Sequence, residues 1–332
     1  MSAGLVDRYG RVHRDLRISL TDRCSLRCTY CMPADGVPWL KSATLLSTEE
    51  LVRLTRVAVS LGVREVRLTG GEPLLRPDVV DVVTALAALT TPDGPLDLSL
   101  TTNALRLPSL AAPLRDAGLD RVNISIDTLR RGRFLELTRR DRLADTLAGI
   151  EAARAVGFAP IKLNALIMRG VNDDEICDLV SFAVERGLEM RFIEHMPLDG
   201  GHTWRREEMV TAEEILEVLA SRFELESLGH DGAAPAETFP IAGTSSTVGV
   251  IASVTRAFCD RCDRVRLTAD GQFRNCLFAR EESDLRTLMR AGADDAAVAA
   301  AMQACVAGKR PGHGIDSPDF LQPDRPMSAI GG

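Results

Sequence analysis

The chain has 332 residues, 45% of them apolar, and a formal net charge of -7 at pH 7. This is enough for one large domain or a domain with an appendage, and enough apolar material to exclude a disordered chain. The acidic balance argues against a protein that coats nucleic acid or an anionic membrane. No run of eighteen apolar residues appears, and Asp7, Arg8, Arg11, Arg14 and Asp15 interrupt the first twenty, so neither a membrane span nor a signal peptide is expected and the chain reads as cytoplasmic.

Apolar, β-branched runs at 16–21, 64–69, 96–101, 121–126, 160–167 and 189–194 predict strands. Helical periodicity predicts helices between them at 47–61, 77–90, 108–117, 141–156 and 173–187. Ser47 with Glu50 three residues on opens the first as a capping box, and Gly62, Gly118, Gly157 and Gly187 mark helix ends. This alternation implies a parallel sheet with helical crossovers, either an open doubly wound sheet or a partial barrel of the TIM type. Polar residues gather where the strands end: Thr21 and Asp22, Thr69 to Glu72, Thr101 to Asn103, Ser125 and Asp127, and Glu194 to Met196. In both architectures that edge carries the active site. Beyond residue 200 the rhythm changes. A helix at 211–222 precedes a Gly/Pro/Ala-rich stretch at 229–235, and runs at 265–267 and 272–277 flank Asp270-Gly271 as a hairpin. Short helices are expected at 283–291 and 294–306, before a tail rich in Gly, Pro and Asp.

Of 40 Lys and Arg, only Lys41, Lys162 and Lys309 are lysines. Lys162 lies in an apolar run, so it is either a buried ammonium with an anionic partner or a strand-end lysine that snorkels outward. The cysteines are distributed unevenly: Cys24, Cys28 and Cys31 near the start, Cys259, Cys262 and Cys276 near the end, and Cys177 and Cys305 single in helical stretches. In a cytosolic chain the clustered ones point to metal and the single ones to core packing. The spacing C-x3-C-x2-C follows the first strand directly. Three thiolates on one loop can hold three irons of a 4Fe-4S cube and leave the fourth iron open, whereas structural zinc needs a fourth ligand that no nearby His or Cys supplies. The second group, C-x2-C-x13-C, admits either metal. Arg264 and Arg266 alternate on one face of a strand beside it, an arrangement suited to holding an anion next to a metal.

The loop Cys24-Ser-Leu-Arg-Cys28-Thr-Tyr30-Cys31 resembles the signature of radical S-adenosylmethionine (SAM) enzymes, and Thr69-Gly70-Gly71-Glu72-Pro73 is similar to their GGEP segment. In that superfamily the open iron chelates S-adenosyl-L-methionine and a low-potential electron yields a 5′-deoxyadenosyl radical. Glycines there let the backbone approach the methionyl amino group, and Glu72 is expected beside this cationic ligand. Together with Arg17, the second cysteine group with Arg264-x-Arg266, and the terminal Ile330-Gly331-Gly332, the chain resembles nearly end to end the GTP 3′,8-cyclase family of molybdenum cofactor biosynthesis.

The resemblance implies a partial (β/α)6 barrel of the radical SAM type over residues 1–225. Residues 226–332 would form a C-terminal extension with a hairpin and helices, carrying a second 4Fe-4S cluster and the GTP site. It assigns Cys24, Cys28 and Cys31 with Gly331 and Gly332 to catalysis, Tyr30, Gly71, Ser125 and Met196 to S-adenosylmethionine, and Arg17, Arg67, Thr101, Lys162, Arg264 and Arg266 to GTP. All six clustered cysteines, Cys24, Cys28, Cys31, Cys259, Cys262 and Cys276, would bind iron. The implied reaction takes hydrogen from ribose C3′ of GTP and closes that carbon on guanine C8, giving (8S)-3′,8-cyclo-7,8-dihydroguanosine 5′-triphosphate. An external electron donor and the downstream cyclic pyranopterin monophosphate synthase are the implied partners of a monomer or homodimer. The competing readings are a radical SAM peptide-modifying enzyme with an auxiliary cluster, a zinc-stabilised non-catalytic module, and a plain iron-sulfur electron carrier.

Overall fold

The computed structural model describes residues 4–331. The predicted strands form β1 (Asp15–Ser19), β2 (Glu65–Thr69), β3 (Asp97–Thr102), β4 (Arg121–Ser125), β5 (Ile161–Ile167) and β6 (Glu189–Glu194). Each pairs in parallel with the next. Between them run α1 (Thr48–Ser60), α2 (Val79–Ala87), α3 (Leu107–Asp116), α4 (Arg131–Thr138), α5 (Leu143–Ala155) and α6 (Ile176–Val184). The capping box forms as expected, with Ser47 accepting from Glu50 N and donating its own N–H to the Glu50 carboxylate. Thr211 and Glu214 repeat it at α7 (Ala212–Ala220). The chain leaves α1 and α6 through Gly62 and Gly187, whose φ values of +108° and +66° favour glycine.

Strand alternation explains the layers. Leu16, Ile18, Val66, Leu68, Leu98, Leu100, Val122, Ile124, Leu163 and Phe192 pack outward into one core with the helices. The opposite face carries Arg17, Arg67, Thr101, Ser125, Asn164 and Arg191, all lining an internal cavity. A partial barrel with a polar lumen results, and its strands end where the cysteine and GGEP segments begin.

The C-terminal region departs from expectation. It is not simply an antiparallel hairpin beside the barrel. The later strands are β7 (Glu237–Pro240), β8 (Thr247–Ile251), β9 (Arg264–Leu267), β10 (Gln272–Arg274) and β11 (Ser283–Asp284). The Asp270-Gly271 hairpin does pair β9 with β10 antiparallel. However, β9 adds in parallel to β1 and β8 adds in parallel to β6, giving one 11-stranded sheet in the order β11-β10-β9-β1-β2-β3-β4-β5-β6-β8-β7. The sheet therefore continues across residue 225 at both edges. Strand β7 escaped the sequence reading because Phe239 is the single large apolar residue of its four, between Glu237 and Pro240, and β8 because Gly249 interrupts its short apolar run. Helix α4 was hidden by its dense arginines, and residues 283–284 form a strand ahead of α8 (Leu285–Arg290).

Glu194 fastens the far edge of the barrel. It is fully buried and accepts from Ala212 N at 2.7 Å, Val254 N at 2.7 Å, Thr255 N at 2.9 Å and the Thr255 hydroxyl. Glu194→Ala strands these buried N–H groups, at about 1–3 kcal/mol each. A loss of about 3 kcal/mol or more is expected in urea unfolding of the metal-free protein, whereas a loss below about 1 kcal/mol would mean that water replaces the carboxylate.

Candidate active site

The loop after β1 is held from several sides. Asp22 Oδ2 accepts from Leu40 N at 2.6 Å. Arg27 donates to the carbonyls of Cys24 at 2.7 Å and Leu26 at 2.8 Å, and Arg139 donates to those of Arg27 at 2.8 Å and Met32 at 3.1 Å. The Arg27 and Thr29 N–H groups bond the carbonyls of Thr138 and Leu137, at the end of α4. With its backbone so occupied, the loop turns Cys24, Cys28 and Cys31 into the cavity. Burial raises all three thiols, Cys24 to about 11 and Cys31 to about 12, while Cys28 is further raised by Asp127 and its neighbouring cysteines. Thiolates that are costly when bare suit a site that supplies iron.

Tyr30 donates to Asp127 Oδ2 at 2.7 Å, and Asp127 Oδ1 accepts from Leu166 N at 2.9 Å. The GGEP segment presses on the cysteine loop: a Cβ at Gly71 would stand 2.1 Å from the Arg23 carbonyl oxygen, so only glycine fits that approach. Ser125 and Met196 complete this end of the cavity. Glu72 lines the cavity beside Gly71. Its carboxyl accepts from Thr102 Oγ1 at 2.7 Å, Asn103 N at 2.8 Å and Leu74 N at 3.1 Å, so it also ties two strand ends together.

Cys259, Cys262 and Cys276 line the same cavity from the opposite side. Among the described residues no three His, Cys, Asp or Glu side chains converge as the ligands of a single metal ion would. Burial lifts the Cys259 thiol. Burial acts the same way on Cys262, but Arg264 and Lys309 outweigh it and hold that thiol below its ordinary value.

Between the triads the register places Arg266, Arg17 and Arg67 side by side on the adjacent strands β9, β1 and β2. Burial, then Arg67, bring Arg17 down to about 10. Burial, then Arg17 and Arg264, bring Arg266 down to about 9. Asp15, 3.7 Å from Arg17, is the carboxylate that faces this row. Glu65 and Asp97 turn instead to Arg121, and Glu189 to Arg191 and Lys162. The lumen thus carries positive charge that calls for an anion. Thr101 lines the same wall, with its hydroxyl 3.4 Å from Asn123 Nδ2.

Lys162 is on the lumen-facing side of β5, two residues before Asn164 and in register with Asn123, and its ammonium is 3.6 Å from Glu189, which is the partnered alternative of the two sequence readings. Gly331 lies in the lumen, its carbonyl accepting from Arg266 Nη1, and a Cβ there would meet Thr69 Oγ1 at 2.5 Å. Gly332 is outside the described residues. Ser328 O accepts from Gly71 N at 2.9 Å, so the tail passes across the GGEP segment.

Sequence reasoning missed Arg191, Asp127 as the partner of Tyr30, Ser328 and Lys309. Arg191 was signalled by its alternation with Ile193 on a strand, and Asp127 by its place among the strand-end polar residues. Only the fold reveals the other two.

Burial pushes the Glu72 carboxyl up to about 7, from 4.5 in the unfolded chain. Because the folded value is the higher, the stability contributed by the neutral form is fully present below about 4.5 and lost as pH rises through about 7. Glu72→Gln does not titrate, so its stability relative to the parent should rise by roughly 1 kcal/mol between pH 6 and pH 8 in urea unfolding of the metal-free protein. A constant difference would mean that Glu72 is ionised throughout.

Residues 18–183 match the family described as Radical SAM superfamily, and residues 188–315 match Molybdenum Cofactor Synthesis C. A GTP 3′,8-cyclase of Streptomyces coelicolor is 56% identical over 331 residues, covering 99% of this chain and 96% of the relative. One from Corynebacterium glutamicum is 52% identical over 336 residues, covering 99% and 89%. A protein named GTP 3′,8-cyclase 2 from Mycobacterium tuberculosis is 52% identical over 334 residues, covering 99% and 92%. Among solved structures, Streptococcus suis SuiB bound to S-adenosylmethionine superposes with a TM-score of 0.62 at 15% identity, covering 82% of this chain and 64% of that one, a likeness of fold. No described helix is long and apolar enough to cross a membrane. With whole-chain identity above half and both halves matched, the chain belongs to the radical SAM GTP 3′,8-cyclases, which catalyse the first step of molybdenum cofactor biosynthesis.

Proposed function

We propose that this GTP 3′,8-cyclase divides its work between two iron-sulfur sites. Residues 1–225 hold the radical SAM cluster on Cys24, Cys28 and Cys31. Residues 226–332 hold a second 4Fe-4S cluster on Cys259, Cys262 and Cys276, whose open iron takes the guanine of GTP. The observation that best supports this is the single cavity that both triads line, with an arginine row between them. When bound, the first cluster and S-adenosylmethionine supply the one-electron chemistry that opens the reaction.

The chain's own residues orient and neutralise. Gly71, lacking a Cβ, lets the GGEP backbone lie against the cysteine loop, and Tyr30, fixed by Asp127, closes one side of the S-adenosylmethionine pocket with Ser125 and Met196. Arg17, Arg67, Arg264 and Arg266, with the Thr101 hydroxyl, grip the triphosphate, which carries about four negative charges. Arg191 extends this wall. Lys162 reaches a phosphate only by giving up Glu189, and until then it holds that carboxylate away from the anion. Gly331 and Gly332 form the catalytic tail: the Gly331 carbonyl aims Arg266, and a side chain there would strike Thr69. An external donor supplies the electron. The downstream partner is the synthase that consumes the cyclic triphosphate and yields cyclic pyranopterin monophosphate. The enzyme acts as a monomer or homodimer in the cytoplasm.

Anaerobically reconstituted protein is expected to hold about eight irons per chain, and Cys259→Ser about four or fewer. In the same variant, cyclisation of GTP followed by mass spectrometry should fall at least a hundredfold; full turnover would remove the second cluster from the mechanism. Deleting Gly331 and Gly332 should leave iron content unchanged and lower turnover at least tenfold, whereas unchanged turnover would mean that the tail only fills space.

A further inference from the structure

Lys309 lies just beyond α9 (Asp295–Ala307), only 3% exposed. Its Nζ donates to Cys262 Sγ at 3.5 Å and to the Arg264 carbonyl at 2.9 Å. Among the described residues no carboxylate lies within 4 Å of it, although Asp263 feels its charge. A buried ammonium served by one carbonyl and one sulfur is expensive unless that sulfur is a thiolate.

The segment around it is built for this position. Arg11 Nη1 donates to the carbonyls of Cys259 at 2.5 Å and Pro311 at 3.0 Å, and its Nη2 to that of Arg310 at 2.7 Å. Asp7 fixes Arg11 at 2.6 Å. The His313 backbone N–H donates to Cys259. A strap over 309–313, pinned by the N-terminal segment, thus brings N–H donors to two of the three cysteines of the second triad, Cys259 and Cys262. Hydrogen bonds and positive charge at cluster sulfurs favour the reduced, more negative state.

We propose that Lys309 is a positioning residue that sets the reduction potential of the cluster on Cys259, Cys262 and Cys276, by donating to Cys262 Sγ from a strap anchored by Arg11. This rests on the second cluster being present. Reduction adds one negative charge to the cluster, and the fixed ammonium stabilises that charge without exchanging a proton.

The test is a potentiometric titration followed by electron paramagnetic resonance on the full chain holding both clusters. The second cluster's signal is assigned from a Cys24→Ala/Cys28→Ala/Cys31→Ala variant. Lys309→Met should make that cluster harder to reduce, lowering the reduced-to-oxidised ratio at fixed potential about tenfold, which is about 59 mV for one electron. The first cluster's midpoint should not move, and Lys309→Arg should recover most of the shift. An unchanged midpoint in Lys309→Met with about eight irons retained overturns the assignment while the second cluster stands. About four irons in the unaltered chain overturns the two-cluster reading and the assignment with it. If Lys309→Met loses its second cluster, Lys309→Gln, which keeps an N–H donor but not the charge, decides: a midpoint below the parent's sustains the role, and one identical to the parent's overturns it.

Discussion

The constraint on which the rest depends is a row of like charges. Arg266, Arg17 and Arg67 occupy equivalent positions on three adjacent parallel strands, where neighbouring backbones run about 4.8 Å apart. Like charges directly opposite each other weaken a sheet, and here burial removes the solvent that would screen them. The nearby carboxylates do not cancel them. Glu65 and Asp97 are engaged by Arg121, and Glu189 by Arg191 and Lys162, leaving Asp15 to face the row. An acidic chain thus concentrates guanidinium groups in its lumen, where an anion would offset their repulsion. The parallel addition of β9 to β1 creates this arrangement, because it is β9 that brings Arg264 and Arg266 alongside Arg17.

Above that row the lumen changes character along the strand direction. Hydroxyls and amides of Thr69, Thr101, Ser125 and Asn164 come next, and Cys24, Cys28 and Cys31 stand beyond the C-terminal ends of the strands, whereas Cys259 and Cys262 precede β9 at its opposite end. The period-two alternation of each strand makes this possible, since a single face can be polar from end to end while the other packs into an apolar core. Along the strand direction the cationic row therefore lies between the two cysteine triads.

The sequence made the chemistry more legible than the architecture. Cys24, Cys28, Cys31 and the Gly70-Gly71 pair could be read because close spacing in sequence dictates their juxtaposition, and the six barrel strands because apolar runs and glycine-marked helix ends repeat. The parallel joining of β8 and β9 to opposite edges of the barrel could not be read, since no local pattern records which distant strand a segment will pair with. The same limit applied to Lys162, where alternation gave the correct face but not its partner Glu189, and to Glu72, whose partners Thr102 and Asn103 come from another strand. Lys309 had no local signal. Its sulfur partner is 47 residues away and its anchoring arginine lies near the other end of the chain.

These differences in reach bear on how the two cysteine sites come to exist. The first triad sits on a short loop whose backbone is satisfied by Arg27 within it and by α4 and Arg139 farther along the same barrel half. The second is assembled from residues 259–276, a strap near residue 310, and Arg11, joined by contacts that close most of the chain into one loop. Closing such a loop costs entropy that local contacts do not recover. The second site is therefore complete only when β9 has docked on β1 and the strap has been pinned. The same docking aligns Arg266 with Arg17, so the anion site and the second triad arise in one step. Gly331 reaches Arg266 within that assembled lumen, and a chain that has formed only its first triad has neither the arginine row nor the tail's acceptor. Folding itself thus couples the second cysteine triad to the cationic row of the lumen, while the first triad forms within its own half of the barrel.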